Sequence, residues 1–538
     1  MTSWRVPSAG ERPRAPDSAI GGPPRARSSY LRDTRSGVIQ SRPAILRESR
    51  DDIRRAWKKS AALAIDLVQN SGRLRGAADQ VIADTVGSGL QVNPQPDPSV
   101  MEKLGYSAKE QADFISLIKQ RWKRWAWNPR ECDLRGKFNV PQMIDIGLRW
   151  NMAYGEVTGQ LTYMPRNERR RYGIESGLKV CMVPPTRLVQ DTSELEGLFQ
   201  GIYHDHNGRP VQYLFAEKAF GSVSKVPWPA FDRSGRPVVM HIFDPVDATD
   251  VRGISVLAAA FRKHIQHEML DDATLQTAIL QTLFAATLTS SAPSAEAFEA
   301  IEAMKDGNPG LAADYFGMLQ EQIDGAKESG IYFSGDPQVS HLAPGEKFEL
   351  HGSKTPGGEY QPFSDALSRD MARAIGMTYG GLTMNHKGST YSSVRMENSS
   401  IWPVVVRRRE RVAVPQEDMI YSAWLDEEIG EGRVPFKGGY AAFAANRQAM
   451  SWAQWQGPSK PTADDGKAAK ASTERLQNGT SSVEIEAAEL GVDPDEIFEQ
   501  RQRLHKRYQD AGMQSPYAPR VGGGAPAPDE REKETEDE

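Results

Sequence analysis

Apolar residues along this chain recur mostly at helical spacing. Ile53, Trp57, Ala61 and Ile65 form one stripe at i, i+4 spacing, which predicts a helix over residues 51–70, extended by residues 77–86. Residues 107–127 repeat the pattern with Phe114, Ile118, Trp122 and Trp125. Residues 141–154 make a third helix, and Pro141 suits its first turn. Short runs at 159–163, 178–183, 201–203 and 211–215 predict strands, with His204-Asp-His-Asn-Gly-Arg as a hairpin turn between the last two. A long helix is expected over 254–288, with Phe261, Ile265, Met269 and Ala273 aligned and Leu280 and Phe284 continuing the stripe. Residues 287–334 read as a mixed insertion, followed by a strand at 347–350. Phe363, Leu367 and Met371 predict a helix over 363–375. The Gly-, Thr- and Ser-rich stretch 380–393 has no period. A long helix over 394–428 carries Pro403 and Pro415, each of which removes a backbone hydrogen bond and bends the rod. Residues 464–511 predict two or more helices, one of them starting after Gly491-Val-Asp-Pro-Asp-Glu. The fold class is α+β, with no internal repeat.

Composition narrows the picture. The 538 residues exceed one compact core and imply two to four units at ~150 residues each. No apolar run approaches the ~20 residues that cross a membrane, and the N-terminus lacks the apolar segment of a signal peptide. Residues 1–50 hold ten arginines and no lysine among many Pro, Gly and Ser, which predicts a disordered basic arm. Residues 513–538 end in an acidic tract and predict a disordered acidic tail. The net charge of -5 argues against a single chain that grips nucleic acid tightly. Any DNA contact must be local, weak or built by oligomerisation. Cys132 and Cys181 match no zinc or redox spacing and read as two buried free thiols in a reducing cytosol.

Enzyme signatures do not emerge. There is no Gly-x-x-x-x-Gly-Lys-Ser/Thr loop, no Gly-x-Ser-x-Gly and no His-Glu-x-x-His. His264 and His267 stand i, i+3 on one helix face, a spacing that can bind metal, but two polar or DNA-proximal histidines are the preferred reading. His204 and His206 sit where a turn is expected to be polar. Acidic pairs such as Asp244 with Asp247, or Asp271 with Asp272, have no accompanying Lys or His pattern. No catalytic residue, metal or cofactor is expected.

Several less generic segments resemble one family. His241-Ile-Phe-Asp-Pro-Val-Asp, followed by Arg252-Gly253-Ile-Ser-Val-Leu, resembles the His-x-Phe-Glu-Pro … Arg-Gly junction of phage portal proteins of the lambda type. Ile375-Gly-Met-Thr-Tyr-Gly-Gly-Leu and Ser389-Thr-Tyr-Ser-Ser-Val-Arg are similar to two further stretches of that family. Ala153-Tyr-Gly-Glu-Val, Trp455-Gln-Gly-Pro and Leu490-Gly-Val-Asp-Pro-Asp-Glu fit in order, so the resemblance spans roughly residues 50–511.

The resemblance implies a portal fold, with a mainly α-helical wing, stem and crown and a mixed α/β clip, assembled as a dodecameric ring at one capsid vertex. It places the wing at 51–253, the first stem helix at 254–288 and the clip at 289–350. A linker and second stem helix would take 351–378, the tunnel loop 379–393, a long wing helix 394–430, and the wing return and crown 431–512. Thr383, Asn385, His386, Lys387, Ser389 and Thr390 would line the DNA channel; an ordinary exposed loop is the competing reading. Phe261, Ile265 and Met269, with Phe363, Leu367 and Met371, would pack stem helices against neighbours, and intramolecular packing would produce the same stripes. Arg407, Arg408, Arg409 and Arg411 could face DNA, pair with acidic neighbours across subunits or stay solvated, with inter-subunit pairing preferred. The implied partners are other copies of the chain, non-specific double-stranded DNA, the terminase large subunit, scaffold and major capsid proteins, and a head-completion or tail-connector protein, with no membrane. The location would be the virion, and the host cytoplasm during assembly. The alternative is a DNA-packaging enzyme such as a terminase subunit or nuclease, which predicts a nucleotide loop or metal carboxylates.

Overall fold

Helix ends follow from local sequence in the computed structural model, which describes residues 41, 46–219, 222–288, 357–358, 360–461 and 465–517. The chain divides after Glu48, and every element below lies in the unit Ser49–Glu538. The expected basic arm (apart from a few residues), the clip at 289–350 and most of the acidic tail lie outside the described residues. Helix α1 (Ser49–Asn70) is separated from α2 (Gly72–Val86) by Ser71, whose side chain caps α2. Helix α3 (Ala108–Ala126) starts at a Ser107/Glu110 capping box, and α4 (Val140–Tyr154) at an Asn139/Gln142 box with Pro141 in the first turn. Each box satisfies two backbone N–H groups that a helix start leaves open.

The strands form three sheets. Strand β1 (Gln91–Pro94) pairs with β9 (Ala453–Gln456), from the far end of the chain. Strand β2 (Glu156–Tyr163) lies between β3 (Leu178–Met182) and β8 (Val239–Phe243), antiparallel to both. The third sheet has the order β4 (Leu198–Phe199), β5 (Ile202–His204), β6 (Pro210–Ala219) and β7 (Ser222–Pro229). Strand β7 carries Pro227 and Pro229, which cannot donate to a ladder; it is the edge strand, where proline is tolerated.

The region expected as one helix over 254–288 is broken. Ser255 caps a short 3-10 turn at Val256–Ala259, and helix α5 runs only over Phe261–Leu288. The cause is tertiary. A Cβ on Gly253 would lie 1.9 Å from the Gly155 carbonyl oxygen, and one on Gly155 would lie 2.2 Å from the Ile254 backbone. The two backbones touch, so the chain is pinned before the helix can begin. Helix α6 (Tyr360–Ile375) then packs on α5, and helix α7 (Tyr379–Thr383), capped by Thr378, runs into the stretch expected to be aperiodic over 380–393. Helix α8 (Tyr391–Arg408) begins three residues before the expected start because Thr390 and Ser393 cap it. A π-turn at Arg409–Ala413 joins α8 to α9 (Val414–Gly430). That wider turn precedes Pro415, which has no N–H to donate, so the rod continues past the proline. Helix α10 (Pro494–Asp510) follows its Asp493 cap.

The largest core cluster gathers α3, α4, the β2 sheet and α9. Trp122 meets Trp125, Tyr421, Trp424 and Trp455 with ring centroids 5.2 to 5.8 Å apart. Trp455 Nε1 donates to Asp418 Oδ1 at 2.5 Å, which fastens β9 to the rod. A second cluster packs α1 and α2 against the ends of α5 and α6. Glu417 of α9 is buried, and its Oε2 has no hydrogen-bond partner. Burial, with Asp418 adding to it, pushes its carboxyl up to about 8.

Gly253→Ala should cost about 3 kcal/mol or more, because neither backbone can retreat; a melting temperature equal to the parent's would contradict the close approach. Glu417 is neutral at pH 7. Its raised value makes its contribution to stability full below the ordinary carboxylate pKa and lost as pH rises through about 8. Denaturant titrations should therefore show the parent losing stability as pH rises from the ordinary carboxylate range to about 8, and Glu417→Gln changing less over that window.

Candidate functional site

The candidate channel segment is the turn between α6 and α8. Gly376, at φ +80°, ends α6 beneath Val404 and Arg408, and Met377 and Leu382 are buried under the segment. Thr383 Oγ1 donates to Tyr379 O at 2.9 Å, and Met384 takes a left-handed φ of +54°. Asn385 Oδ1 accepts from Lys387 N at 3.0 Å, an Asx turn that sets the loop tip. His386 lies over Gly380, where a Cβ would come within 2.6 Å of its ring. Tyr379 is fixed in turn by its OH donating to Asp365 Oδ1 at 2.9 Å and by Arg369 over its ring.

Of the six residues expected in this segment, Thr383, Asn385 and Thr390 therefore hold the backbone, Thr390 as the cap of α8. His386, Lys387 and Ser389 are exposed. The tip presents one lysine, one imidazole ring and hydroxyls on a short, internally bonded loop. Such a surface can make exchangeable phosphate contacts without reading bases.

The two expected stem stripes split along their length. Phe261 and Ile265 pack on the chain's own second core, whereas Met269 is 65% exposed, and Leu275 and Ile279 beyond it are also exposed. On α6, Met371 is buried, Leu367 half-buried and Phe363 exposed. The face of α6 turned to its own chain is instead Ser364, Ser368, Met371, Ala372 and Ile375. An exposed ion pair, Lys263 with Asp370, bridges α5 and α6. Leu275 and Ile279 were missed by sequence reasoning; their i, i+4 spacing continues the exposed side of α5 and was the available signal.

The arginine run, expected to face DNA, pair across subunits or stay solvated, is not one surface within the chain. Arg407 and Arg411 pair with Asp244 of the same chain at 3.1 and 3.0 Å. Arg408 donates to Ile375 O at 2.6 Å. Arg409 is buried and donates to the carbonyls of Thr85 at 2.7 Å and Pro458 at 2.9 Å, with a longer contact to Asp84 O. Successive helical residues diverge by ~100°, so one run serves three directions. The two arginines at its centre satisfy carbonyls at the C-terminal ends of α2 and α6, the positions where cations are favoured.

His264 and His267 are buried at the seam between α5 and α6. That is polar packing, not the DNA-proximal placement held open from sequence. His204 is half-buried in β5, and burial pulls its imidazole below the ordinary value. Cys132 and Cys181 are free and buried, and burial pushes the Cys132 thiol up to about 12. Among the described residues no group of His, Cys, Asp and Glu is arranged to hold a metal, and no helix is long and apolar enough to cross a membrane.

Residues 37–409 match the family described as "Phage portal protein, lambda family". Portal protein B of Escherichia phage lambda is 26% identical over 476 residues, covering 86% of each chain. The portal protein of Escherichia phage N15 is 24% identical over 474 residues, again covering 86% of each. Among solved structures, a chain in the virion of a native gene transfer agent particle aligns over 81% of this chain and 94% of its own, at 12% identity and a TM-score of 0.38. The family match spans more than two thirds of the sequence, from before α1 to the π-turn, and the two phage relatives each cover 86% of the chain: the chain belongs to the lambda family of phage portal proteins.

Proposed function

We propose that twelve copies of this chain close into a ring at one capsid vertex, and that double-stranded DNA passes through it during packaging and ejection. Membership of the portal family carries this reading. The portal architecture of wing, stem, clip and crown, the virion location, and the partners that follow — terminase large subunit, scaffold and major capsid protein, and a head-completion or tail-connector protein — come with it. The exposed apolar end of the stem supports the ring. Met269, Leu275, Ile279 and Phe363 are uncovered within their own chain. A neighbouring copy would remove them from water at roughly 25 cal/mol per Å² of apolar area.

In this reading the α6–α8 turn faces the channel. A ring multiplies each inward charge by its copy number, so one Lys387 per chain becomes a belt of positive charge although the chain is acidic overall. Each phosphate neutralised adds salt-dependent affinity, so a single lysine per copy confines DNA without arresting it. Loop hydroxyls at Ser389 and the His386 ring add contacts that any sequence can make.

Native mass spectrometry and electron microscopy of the purified chain should find closed rings with a central hole; a strictly monomeric species at all salt concentrations would overturn the reading. Lys387→Ala should leave folding within about 0.5 kcal/mol of the parent, as expected for an exposed side chain. Lys387→Glu should assemble yet impair DNA packaging or retention, less so at high salt where the belt is screened. Particles carrying Lys387→Glu that package and retain full-length DNA like the parent would remove the loop from the channel.

A further inference from the structure

The root of the stem is built around a buried histidine whose protonation state the geometry fixes. His267 of α5 is 0% exposed at its side chain. Its Nδ1 lies 2.7 Å from Arg73 Nη1 of α2, and its Nε2 lies 2.8 Å from Ser364 Oγ of α6. A guanidinium only donates, so Nδ1 must be the bare nitrogen, and Nε2 carries the proton given to Ser364. The ring is therefore neutral, and it joins three helices.

A second proton would go to Nδ1, setting donor against donor and cation against cation. The other charged groups facing the ring do not offset this. Asp271 lies 3.5 Å from Nε2, but its carboxylate is already shared by Arg73 Nη2 at 3.3 Å and the Tyr360 hydroxyl at 2.5 Å. One turn away, His264 has its own carboxylate, Glu268, at 3.0 Å, and packs against Met371. Lys263 and Asp370 pair with each other at the exposed edge of the seam. Leu67, Leu74 and Leu257 line an apolar gap beside His264.

We propose that Arg73, His267 and Ser364 form a proton-sensitive latch that holds α2 against both α5 and α6 and releases the root of the stem on acidification. Burial first, and then Arg73, pull the His267 imidazole below its ordinary value. A lowered histidine contributes stability that is full above its unfolded pKa of 6.5 and lost as pH falls below it. In a ring the same latch recurs in every copy, so a modest pH change would act on the whole stem at one height.

Hydrogen–deuterium exchange of the full chain at about pH 7.5 and about pH 5 tests this, with rates corrected for intrinsic exchange. Peptides over residues 72–80, 261–271 and 360–371 should lose protection on acidification, by about tenfold for each unit of depression, while α3 and α9 hold. His267→Gln keeps both hydrogen bonds, with its carbonyl facing Arg73 and its amide facing Ser364, but cannot be protonated; it should stay closed at the lower pH. Arg73→Gln removes the opposing cation and should reduce the acid response independently. The latch is overturned by a parent equally protected at both values, or by His267→Gln opening as far as the parent. If that variant does not fold, an Arg73→Gln response equal to the parent's overturns it.

Discussion

One buried ion pair fixes where the chain leaves the β2 sheet for α5. Arg252, 0% exposed, spans Glu156 of β2 through Nε at 3.0 Å and through Nη2, and its remaining donors reach the carbonyls of Pro185, Leu188 and Val189. Trp57 of α1 covers the guanidinium, with its ring centroid 4.5 Å away. His241 of β8 approaches the other carboxylate oxygen at 3.1 Å. Burial alone would raise the Glu156 carboxyl; Arg252 and the hydrogen bonds from His241 and Arg252 outweigh it and hold it below the ordinary carboxylate range. Such a pair adds little net stability over an apolar substitute, but losing one partner costs about 3–5 kcal/mol. What it specifies is geometry. It lies beside the Gly155–Gly253 contact, so charge and steric exclusion pin the same short stretch, Arg252 to Ile254, ahead of α5.

The long rod is held by the opposite device, arginines that meet carbonyls rather than carboxylates. Arg408 ties the rod to the end of α6, and Arg409 ties it to the end of α2 and to Pro458. The two contacts come from the last residue of α8 and the first of the π-turn. The α5–α6 pair therefore has two anchors, Arg252 ahead of α5 and Arg408 at the end of α6, and the α6–α8 turn follows the second. Its tip is positioned by backbone bonds of Thr383, Asn385 and Thr390, which leaves Lys387 free of any structural duty.

Much of this was legible in the sequence where the signal is local. Helices α1, α3 and α4 follow their apolar stripes, and the Ser107, Asn139 and Asp493 caps mark their starts or those of later helices. The 3-10 break before α5 was not legible. Val256 and Leu257 continue the apolar stripe, and what stops the helix is a glycine contact nearly a hundred residues away. Strand β1 was hidden for the same reason: four residues have no period, and their partners stand 359 to 365 residues later. Strand β7 was masked by its prolines, which argue against a strand unless the strand lies at an edge. The motif around His241 and Arg252 was legible as a resemblance, as was Ala153-Tyr-Gly-Glu-Val; the pair that joins them, Arg252 with Glu156, was not.

The arginine run shows why composition misleads about charge. Read linearly, five adjacent positions with four arginines look like a surface for polyanions. Wound at ~100° per residue, they divide between Asp244, which takes Arg407 and Arg411, and the carbonyl ends of two helices, which take Arg408 and Arg409. The acidic balance of the chain has the same meaning at larger scale. Carboxylates such as Glu427, which accepts from Ser176, Gly177 and Leu178, are also spent on the fold. Net charge then says little about what a passing polyanion would meet. What counts is which cations have no internal obligation, and in the α6–α8 turn Lys387 is exposed, its backbone N–H alone engaged by Asn385.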